Sequence, residues 1–311
     1  MRKAYIFLAD LHVGHLMDYK ALEVTVAKLQ QLLQILKSEE RMLYVLGNLT
    51  EGCKTREWHN PVMHPVLQAK YASYVIKWIA NKLAVDKVVI VPGNNDLCTY
   101  NGKSVILMIK EWLEKLDVNA EVVNEGHVIE IGRKKVMLRR TIEVRPWSRD
   151  TDLTLEIYVS GLLYTREYDV DMIICSHYRV FIMSPELILL PSFQWSDNPM
   201  YKDKGGILMT DNGLVIPIVF KQMTDYSRSE TIHELDNWLH NIGQKILSNK
   251  ENEMIRLCID YKGGKKIKWL SVELHDRIKS MLEAGTPVKT IAKNIGVSST
   301  TVRFVKNGYE C

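Results

Sequence analysis

The feature that most constrains this chain is an alternation of short apolar runs with longer stretches of helical periodicity. Three runs, Ala4–Ala9, Met42–Leu46 and Lys87–Val91, have the length and continuity of strands that are buried on both faces of a parallel sheet. Between them, residues 19–37 and 67–83 carry apolar side chains at helical spacing. Strand, helix and strand in this order predict crossover units, because parallel neighbours need a long connection. We therefore predict an α/β fold.

The residues that follow are rich in predicted strands. Val128–Ile131 and Lys135–Leu138 flank Gly132, which indicates a hairpin. Further apolar runs, separated by turn-forming residues, continue the pattern: Met172–Cys175, Leu187–Leu190, Gly206–Met209 and Leu214–Phe220. Elements in this order bury their apolar faces by packing two sheets against each other. For residues 1–222 we predict a two-sheet sandwich with flanking helices.

Four of the predicted strands end in residues that commonly bind metal ions. The segments are Asp10–His12, Gly47–Glu51, Gly93–Asp96 and Ser176–Arg179. In open α/β sheets, functional groups collect outside the carboxyl ends of the strands. Asp, Asn and Gly are also ordinary turn residues, so any one segment is compatible with a simple turn. Their recurrence after four apolar runs favours a common site.

Together these segments resemble the motifs of the calcineurin-like metallophosphoesterases, which read DxH, GDxx(D/E), GNH(D/E), a lone His, and GHxH. The resemblance covers roughly residues 1–220. It implies a site in which two divalent ions hold a phosphate and activate a water molecule. The residues that it places at metal positions are Asp10, His12, Asn48, Asn94 and His177. It gives Asp10 and Asn95 catalytic positions, Asn95 standing where the family has the histidine that assists the leaving group.

The metal positions depart from the family's pattern. Asn48 stands where a carboxylate bridges the two ions, and an amide has no negative charge to offset neighbouring cations. The strand expected to carry the lone histidine, Val136–Thr141, contains none. Arg179 stands in place of a metal-binding imidazole, and a guanidinium repels a cation. We therefore predict a depleted site that holds one weakly bound Mn²⁺ or Mg²⁺ or no metal, with a full two-metal site as the alternative.

Three arginines are candidates to replace the lost metal charges and to bind phosphate. They are Arg139, Arg140 and Arg179. Guanidinium groups form paired hydrogen bonds with phosphate, which is the chemistry that such a replacement needs. The alternative is that they are ordinary surface arginines.

The end of the chain follows the pattern of a helix-turn-helix. In residues 288–305, Ala292 stands where two helices touch, and Gly296 stands where the turn requires a positive φ. Ser298 or Ser299 is suited to cap the second helix, and a supporting helix precedes at about residues 272–284. These residues resemble the DNA-binding units of resolvases. We predict a small all-α helix-turn-helix domain over residues 269–311, with a helical hairpin for protein contacts as the alternative.

The charge of the chain is concentrated in this last part. From residue 262 onward there are 10 Lys and Arg against 4 Asp and Glu, whereas the rest has 31 against 33. A basic segment of this kind suits DNA, because binding releases counterions from phosphates. The predicted DNA-contacting residues are Lys289, Lys293, Ser299, Thr300, Arg303 and Lys306. Residues 223–268 are predicted to be a helical segment followed by a flexible basic linker.

These features predict a DNA-binding protein whose phosphoesterase-like domain is an inactive or impaired scaffold. One alternative is a metal-dependent phosphodiesterase or nuclease that the helix-turn-helix delivers to DNA, and another is a nucleotide-sensing transcription regulator. A single helix-turn-helix predicts a homodimer or a complex with other DNA-metabolism proteins. No apolar run approaches the roughly 20 residues of a membrane span, so we expect a cytoplasmic protein, associated with the nucleoid when bound to DNA.

Overall fold

The computed structural model describes residues 2–13, 17–52, 65–100, 102–142, 153–194, 203–221, 254–261 and 264–310. The chain divides into two compact units, Met1–Leu239 and His240–Cys311. The described strands of the first unit are β1 (Lys3–Ala9), β2 (Glu40–Gly47), β3 (Lys87–Pro92), β4 (Thr99–Tyr100), β5 (Lys103–Ser104), β6 (Ala120–Val122), β7 (His127–Ile131), β8 (Lys134–Arg139), β9 (Met172–Cys175), β10 (Ile182–Met183), β11 (Leu187–Leu189), β12 (Asp203–Thr210) and β13 (Val215–Lys221). Its described helices are α1 (Tyr19–Leu36), α2 (Pro65–Leu83), α3 (Val105–Lys115) and α4 (Leu153–Glu167).

The first unit contains two mixed sheets and flanking helices. The larger sheet has the strand order β13-β12-β1-β2-β3-β6, in which β1, β2, β3 and β6 are parallel. The smaller sheet has the order β10-β11-β9-β8-β7, in which β8, β9 and β11 are parallel. Helix α1 packs on β12 and β13, and α4 packs on β9 and β11. The predicted two-sheet α/β sandwich is confirmed.

The core between the sheets is built from alternate residues of strands in both of them. Phe7 of the larger sheet shares one buried cluster with Leu138 and Ile174 of the smaller sheet. The neighbouring residues Met137 and Ile173 point to the opposite face of the smaller sheet and join a second cluster with α4. This alternation follows from the two-residue period of a strand. Burial of each large apolar side chain stabilises the fold by about 1.5–3 kcal/mol.

Helix α1 shows how the sequence pattern becomes packing. Its N-terminus is capped by Asp18, whose carboxylate accepts the backbone N–H of Ala21 at 3.0 Å. Leu22, Leu29 and Leu33 repeat at helical spacing, and all three are fully buried. The other predicted elements of this unit also occur close to their predicted bounds. Among the described residues, no helix combines the length and the apolar character needed to cross a membrane.

The second unit contains both helices and strands. Its described elements are β14 (Met254–Tyr261), β15 (Gly264–Ser271), α5 (Val272–Glu283), α6 (Val288–Ile295), α7 (Ser299–Asn307) and β16 (Tyr309–Glu310). The strands form one sheet in the order β15-β14-β16. The prediction of a flexible basic linker up to Lys268 is therefore wrong. Tyr261 pairs with Gly264 in an antiparallel hairpin. The two consecutive glycines in the sequence, Gly263 and Gly264, are therefore a hairpin signal rather than a linker signal.

The helical segment that we predicted before this hairpin, from residue 223 to residue 253, lies outside the described residues. Three helices follow: α5 lies within one residue of the predicted supporting helix at 272–284, and α6 and α7 cover the stretch 288–305, with α7 continuing to Asn307. They pack around a buried cluster of Ile278, Ile291, Ala292 and Val302. Helix α6 ends at Gly296, whose φ of 78° is the predicted positive value, and the hydroxyl of Ser298 accepts the N–H of Thr301 at the start of α7.

Candidate functional site

The first site segment follows β1 and connects three of the four predicted segments. Asp10 and His12 are 2% and 4% exposed. The backbone N–H of Asn48 donates to Oδ1 of Asp10 at 2.9 Å, and the backbone N–H of His177 donates to Oδ2 at 2.7 Å. Hydrogen bonds to a charged acceptor are stronger than bonds between neutral groups. Asp10 therefore anchors the ends of β1, β2 and β9 to one another.

Gly47 makes this close arrangement possible at the end of β2. A Cβ atom on Gly47 would lie 2.2 Å from Oδ1 of Asp10 and 2.6 Å from Oγ of Ser176. The residue also has a φ of 81°, which L residues with a side chain rarely adopt. Glycine is thus required at this position both by space and by backbone conformation.

Strained backbone is concentrated in the same segments. Eight non-glycine residues of the described part have a positive φ. Half of them lie just after helices α1 to α4, where the left-handed conformation is a common helix end. The other half lie in two site segments: Asp10 (47°), His12 (49°), His177 (81°) and Arg179 (59°). Such strain persists where the surroundings hold it, and it is frequent at functional sites.

The amide side chains of the second and third segments also join the cluster. Oδ1 of Asn48 accepts the backbone N–H of Asn95 at 3.1 Å. The side-chain amide of Asn95 donates to the backbone carbonyl of Thr50 at 3.3 Å. Asn95 therefore contributes to the contact between the two loops, and Asn94, beside it, is exposed.

The fully buried carboxylate of Asp96 holds the second and third segments together, although it is not among the predicted site residues. Its two oxygens accept the N–H groups of Leu49, Thr50 and Gly93 at 2.9 to 3.1 Å, and the Thr50 hydroxyl at 2.8 Å. Burial raises the pKa of Asp96 to about 6, although these hydrogen bonds oppose the shift. The sequence signal that could have identified Asp96 is the acidic last position of the GNH(D/E) motif, which Asp96 occupies.

Glu51 is a second residue that the sequence prediction left out. Its Oε1 lies 3.2 Å from Nδ1 of His12, and the Glu51 side chain is 14% exposed. A carboxylate at this position fixes the orientation of the imidazole ring. The acidic last position of the GDxx(D/E) motif indicated it.

Arg139 ends β8 and Arg140 follows it. Both lie near Glu125, with Nη2 of Arg139 at 3.7 Å and Nη2 of Arg140 at 3.4 Å from its carboxylate, but their other contacts differ. Nη1 of Arg140 donates to Oδ1 of Asn94 at 2.6 Å, and Nη2 lies 3.4 Å from Glu125. The guanidinium of Arg139 instead lies 4.8 Å from the ring centre of Tyr164 on α4. Of this pair, Arg140 contacts a predicted metal-position residue, Asn94, and the phosphate-binding role of both arginines stays a prediction.

Arg179 belongs to the fourth segment and is partly buried. Its charge acts on Lys204, which is fully buried and donates to the backbone carbonyl of Gln194 at 2.8 Å. Burial lowers the pKa of Lys204 to about 8, Asp18 and Asp203 oppose this shift, and Arg179 adds to it. The positive charge of Arg179 therefore disfavours the charged form of the buried Lys204 amine.

The predicted DNA-contacting residues all lie on the last two helices. Lys289 and Lys293 are one turn apart on α6, and both are exposed. On α7, Thr300, Arg303 and Lys306 are exposed, and Ser299 is partly buried at its start. The apolar residues of both helices face the buried cluster of the unit.

Comparisons with known proteins give likenesses of overall shape only. No protein-family model matches the chain, and no curated protein sequence matches it. Among solved structures, a hypothetical protein from Pyrococcus horikoshii is similar at 13% identity and a TM-score of 0.43, over 78% of this chain and 94% of that one. A Vps29 mutant from Entamoeba histolytica is similar at 14% identity and a TM-score of 0.33, over 70% and 99%. A predicted phosphoesterase from Streptococcus pneumoniae is similar at 11% identity and a TM-score of 0.27, over 71% and 98%.

The donor set of the site does not fit a two-metal centre. Metal binding needs several lone pairs that converge on one point. Within the described ranges, no group of three or more His, Cys, Asp or Glu side chains is placed to hold a metal ion. The oxygens of Asn48 and Asn94 already accept hydrogen bonds, and the donor to Asn94 is the cationic Arg140. The other predicted metal positions are Asp10, His12 and His177, and a single weakly bound ion there stays a prediction.

Proposed function

We propose that this protein binds DNA through α6 and α7 and that its first unit is a calcineurin-like phosphoesterase scaffold that does not hydrolyse phosphate esters. Four exposed cations on the last two helices carry the DNA-binding proposal: Lys289, Lys293, Arg303 and Lys306. Cations arranged on one helix pair gain affinity from the counterions that DNA phosphates release.

The geometry of α6 and α7 supports a helix-turn-helix. In such a pair the second helix enters the major groove, and its N-terminal residues contact base edges. Ser299 and Thr300 begin α7, and Arg303 follows one turn later. Arginine pairs well with guanine in the major groove, whereas Lys289 and Lys293 on α6 are suited to phosphates.

The DNA-binding proposal is tested by fluorescence anisotropy with duplexes enriched from a random pool. We expect Arg303→Ala to weaken binding to the enriched site by about 1–3 kcal/mol, and Lys293→Ala to reduce the salt slope by about one. Arg277→Ala is the matched control, because it removes an exposed arginine from α5. Equal losses in Arg277→Ala and Arg303→Ala would contradict the proposal. A DNA affinity that changes when a nucleotide is added would favour a nucleotide-sensing regulator instead.

One helix-turn-helix contacts a single half-site, so we also propose that the protein acts as a homodimer or with other DNA-metabolism proteins. Two half-sites that are one or more helical turns apart in the enriched DNA would support a dimer. Sedimentation of the full chain with one-half-site and two-half-site duplexes distinguishes the two arrangements. A complex of one chain per two-half-site duplex would exclude the dimer.

The proposal of an inactive scaffold rests on the residues at the strand ends. Asn48 stands at the position of the bridging carboxylate, and its oxygen is engaged by Asn95. Asn95 itself stands where the family has its leaving-group histidine, and an amide is neither acid nor base near neutral pH. At these two described positions the first unit thus offers neither the bridging charge for two ions nor a group that protonates an alkoxide.

Hydrolysis of bis-p-nitrophenyl phosphate with Mn²⁺ tests this second part. We expect no turnover above that of the Asp10→Ala variant. Turnover in the wild-type protein that disappears in Asp10→Ala would establish a metal-dependent phosphodiesterase or nuclease, which is the alternative that the retained Asp10 and His12 favour. The metal content of the purified protein, measured in parallel, shows whether an ion accompanies such turnover.

A further inference from the structure

The two asparagines at metal positions have their amide groups fixed in one orientation. The oxygen of Asn48 faces the backbone N–H of Asn95 at 3.1 Å, and the oxygen of Asn94 faces the Arg140 guanidinium at 2.6 Å. Both partners are donors only, so the atom facing them must be the amide oxygen. Each amide oxygen is thereby engaged, and within the described part of the chain the NH₂ groups of both asparagines have no acceptor. A metal ion needs lone pairs, whereas these groups offer hydrogens.

Arg140 adds a positive charge to these donors. Its guanidinium has five N–H donors. One of them serves Asn94, Nη2 lies 3.4 Å from Glu125, and the side chain is 19% exposed. The backbone of Arg140 is fixed as well, because the Ser176 hydroxyl donates to its carbonyl at 3.1 Å. Ser176 also lies against Gly47, as does Asp10. Through its contact with Asn94 the guanidinium belongs to the strand-end cluster, which we define as the segments Asp10–His12, Gly47–Glu51, Gly93–Asp96 and Ser176–Arg179 together with Arg140.

The carboxylates of Asp10 and Glu51 are engaged by neighbouring groups of the protein. Both oxygens of Asp10 accept backbone N–H groups, from Asn48 and His177, and the side chain is buried. Glu51 lies 3.2 Å from His12. Asn94 and His177 are exposed, so an anion can approach the amide hydrogens of Asn94 and the Arg140 guanidinium that contacts it, beside the exposed Glu125.

We infer that the strand-end cluster is a metal-independent binding site for a phosphate group, in which the Arg140 guanidinium and the NH₂ groups of Asn48 and Asn94 replace the metal ions. The polarity of the site is thus reversed relative to a metal centre, from lone pairs that bind a cation to hydrogens that bind an anion. The inference rests on the proposal that the first unit does not hydrolyse phosphate esters. Glu125 is a positioning residue that shares the guanidinium and limits its affinity for the anion.

The experiment titrates inorganic phosphate into the full chain in the presence of EDTA, with calorimetry as the readout. Deoxyadenosine monophosphate and a short single-stranded oligonucleotide, with and without a 5′-phosphate, identify the source of the phosphate group. A preference for the phosphorylated oligonucleotide indicates a DNA end, and equal affinity for free phosphate and the nucleotide indicates that only the phosphate is bound. Binding of the oligonucleotide that is the same with and without the 5′-phosphate, together with no binding of free phosphate, would overturn the inference, because the DNA-binding helices α6 and α7 would explain it alone.

Variants separate the charge effect from a folding effect. We expect Arg140→Gln to weaken phosphate binding by about tenfold or more, Arg140→Lys to retain an intermediate affinity, and Glu125→Gln to strengthen binding. Arg133→Gln, which removes an exposed arginine from the turn between β7 and β8, is the matched control and leaves the affinity unchanged. Tighter binding in Glu125→Gln is a gain that a misfolded protein does not produce.

Two results would overturn the inference: phosphate binding that requires Mn²⁺, and an Arg140→Gln variant that binds like the wild type. Asn48→Asp gives a further check, because a carboxylate there repels phosphate and adds a metal ligand, so binding in EDTA is lost. Turnover with Mn²⁺ would overturn the proposed function. Absence of phosphate binding in a protein without turnover would overturn this inference alone.

Discussion

Gly47 and Gly296 have nearly the same backbone conformation in very different surroundings. Their φ angles are 81° and 78°. A Cβ atom on Gly47 would lie 2.2 Å from Asp10, whereas nothing lies within 4 Å of a Cβ atom on Gly296. The strand-end cluster is filled by neighbouring segments, and the turn between α6 and α7 is open. Packing therefore decides which side chains are tolerated at Gly47, whereas local backbone propensity decides it at Gly296.

The largest effect is expected at Asp96, the buried carboxylate of the strand-end cluster. Asp96→Ala leaves three backbone N–H groups and the Thr50 hydroxyl without their acceptor. We expect a loss of about 4–5 kcal/mol in the free energy of unfolding of the first unit, and about 3 kcal/mol for Asp96→Asn, which keeps one acceptor oxygen. Denaturation by guanidinium chloride measures the free energy of unfolding of both variants. A loss below about 1 kcal/mol for Asp96→Ala would show that the loops do not depend on this carboxylate.

The two glycines give the most direct test of the comparison. Gly47→Ala forces a clash in addition to backbone strain, so we expect a loss of about 4 kcal/mol. Gly296→Ala has strain without a clash, so we expect about 1 kcal/mol. Hydrogen exchange of peptides from each unit measures the two local free energies in the full chain. Equal losses would mean that the surroundings of Gly47 relax to admit a methyl group.

The stability of the first unit should also depend on pH through Asp96. Its folded pKa is raised to about 6 by burial, above the unfolded value, so the folded state binds the proton more tightly. The resulting stabilisation is fully present below about pH 4 and is lost as the pH rises to about 6, a change of about 3 kcal/mol. The difference in stability between wild type and Asp96→Asn across this range isolates the effect. The opposite slope would mean that the four hydrogen bonds outweigh burial.

The smallest effect is expected at the start of α7, where one hydrogen bond forms the cap. Ser298→Ala removes the acceptor for the Thr301 N–H, and we expect a loss of about 1 kcal/mol in the second unit. Ser298→Asp keeps an acceptor and is the control. Circular dichroism during thermal unfolding measures the change. A loss as large as that of Gly47→Ala would remove the contrast between the two units.

Much of the fold followed from the sequence, and much less of the site did. The apolar runs of β1, β2 and β3 and the helical periodicity of α1 predicted the elements almost to the residue. Glu51 and Asp96 were missed, because an acidic residue in a loop looks the same in sequence whether it is solvated or buried. The hairpin of β14 and β15 was missed because its lysines suggested a solvated linker.

The sequence by itself determined the periodicity of the elements, the position of the αL turn at Gly296, and the order of the strand-end segments. These are local properties of a chain and its neighbours. Only the tertiary structure decided that Arg140 meets Asn94 while Arg139 lies over Tyr164. It also decided which atom of each asparagine amide remains for a ligand. These contacts depend on the distances between segments that are far apart in the sequence, and no local sequence pattern encodes those distances.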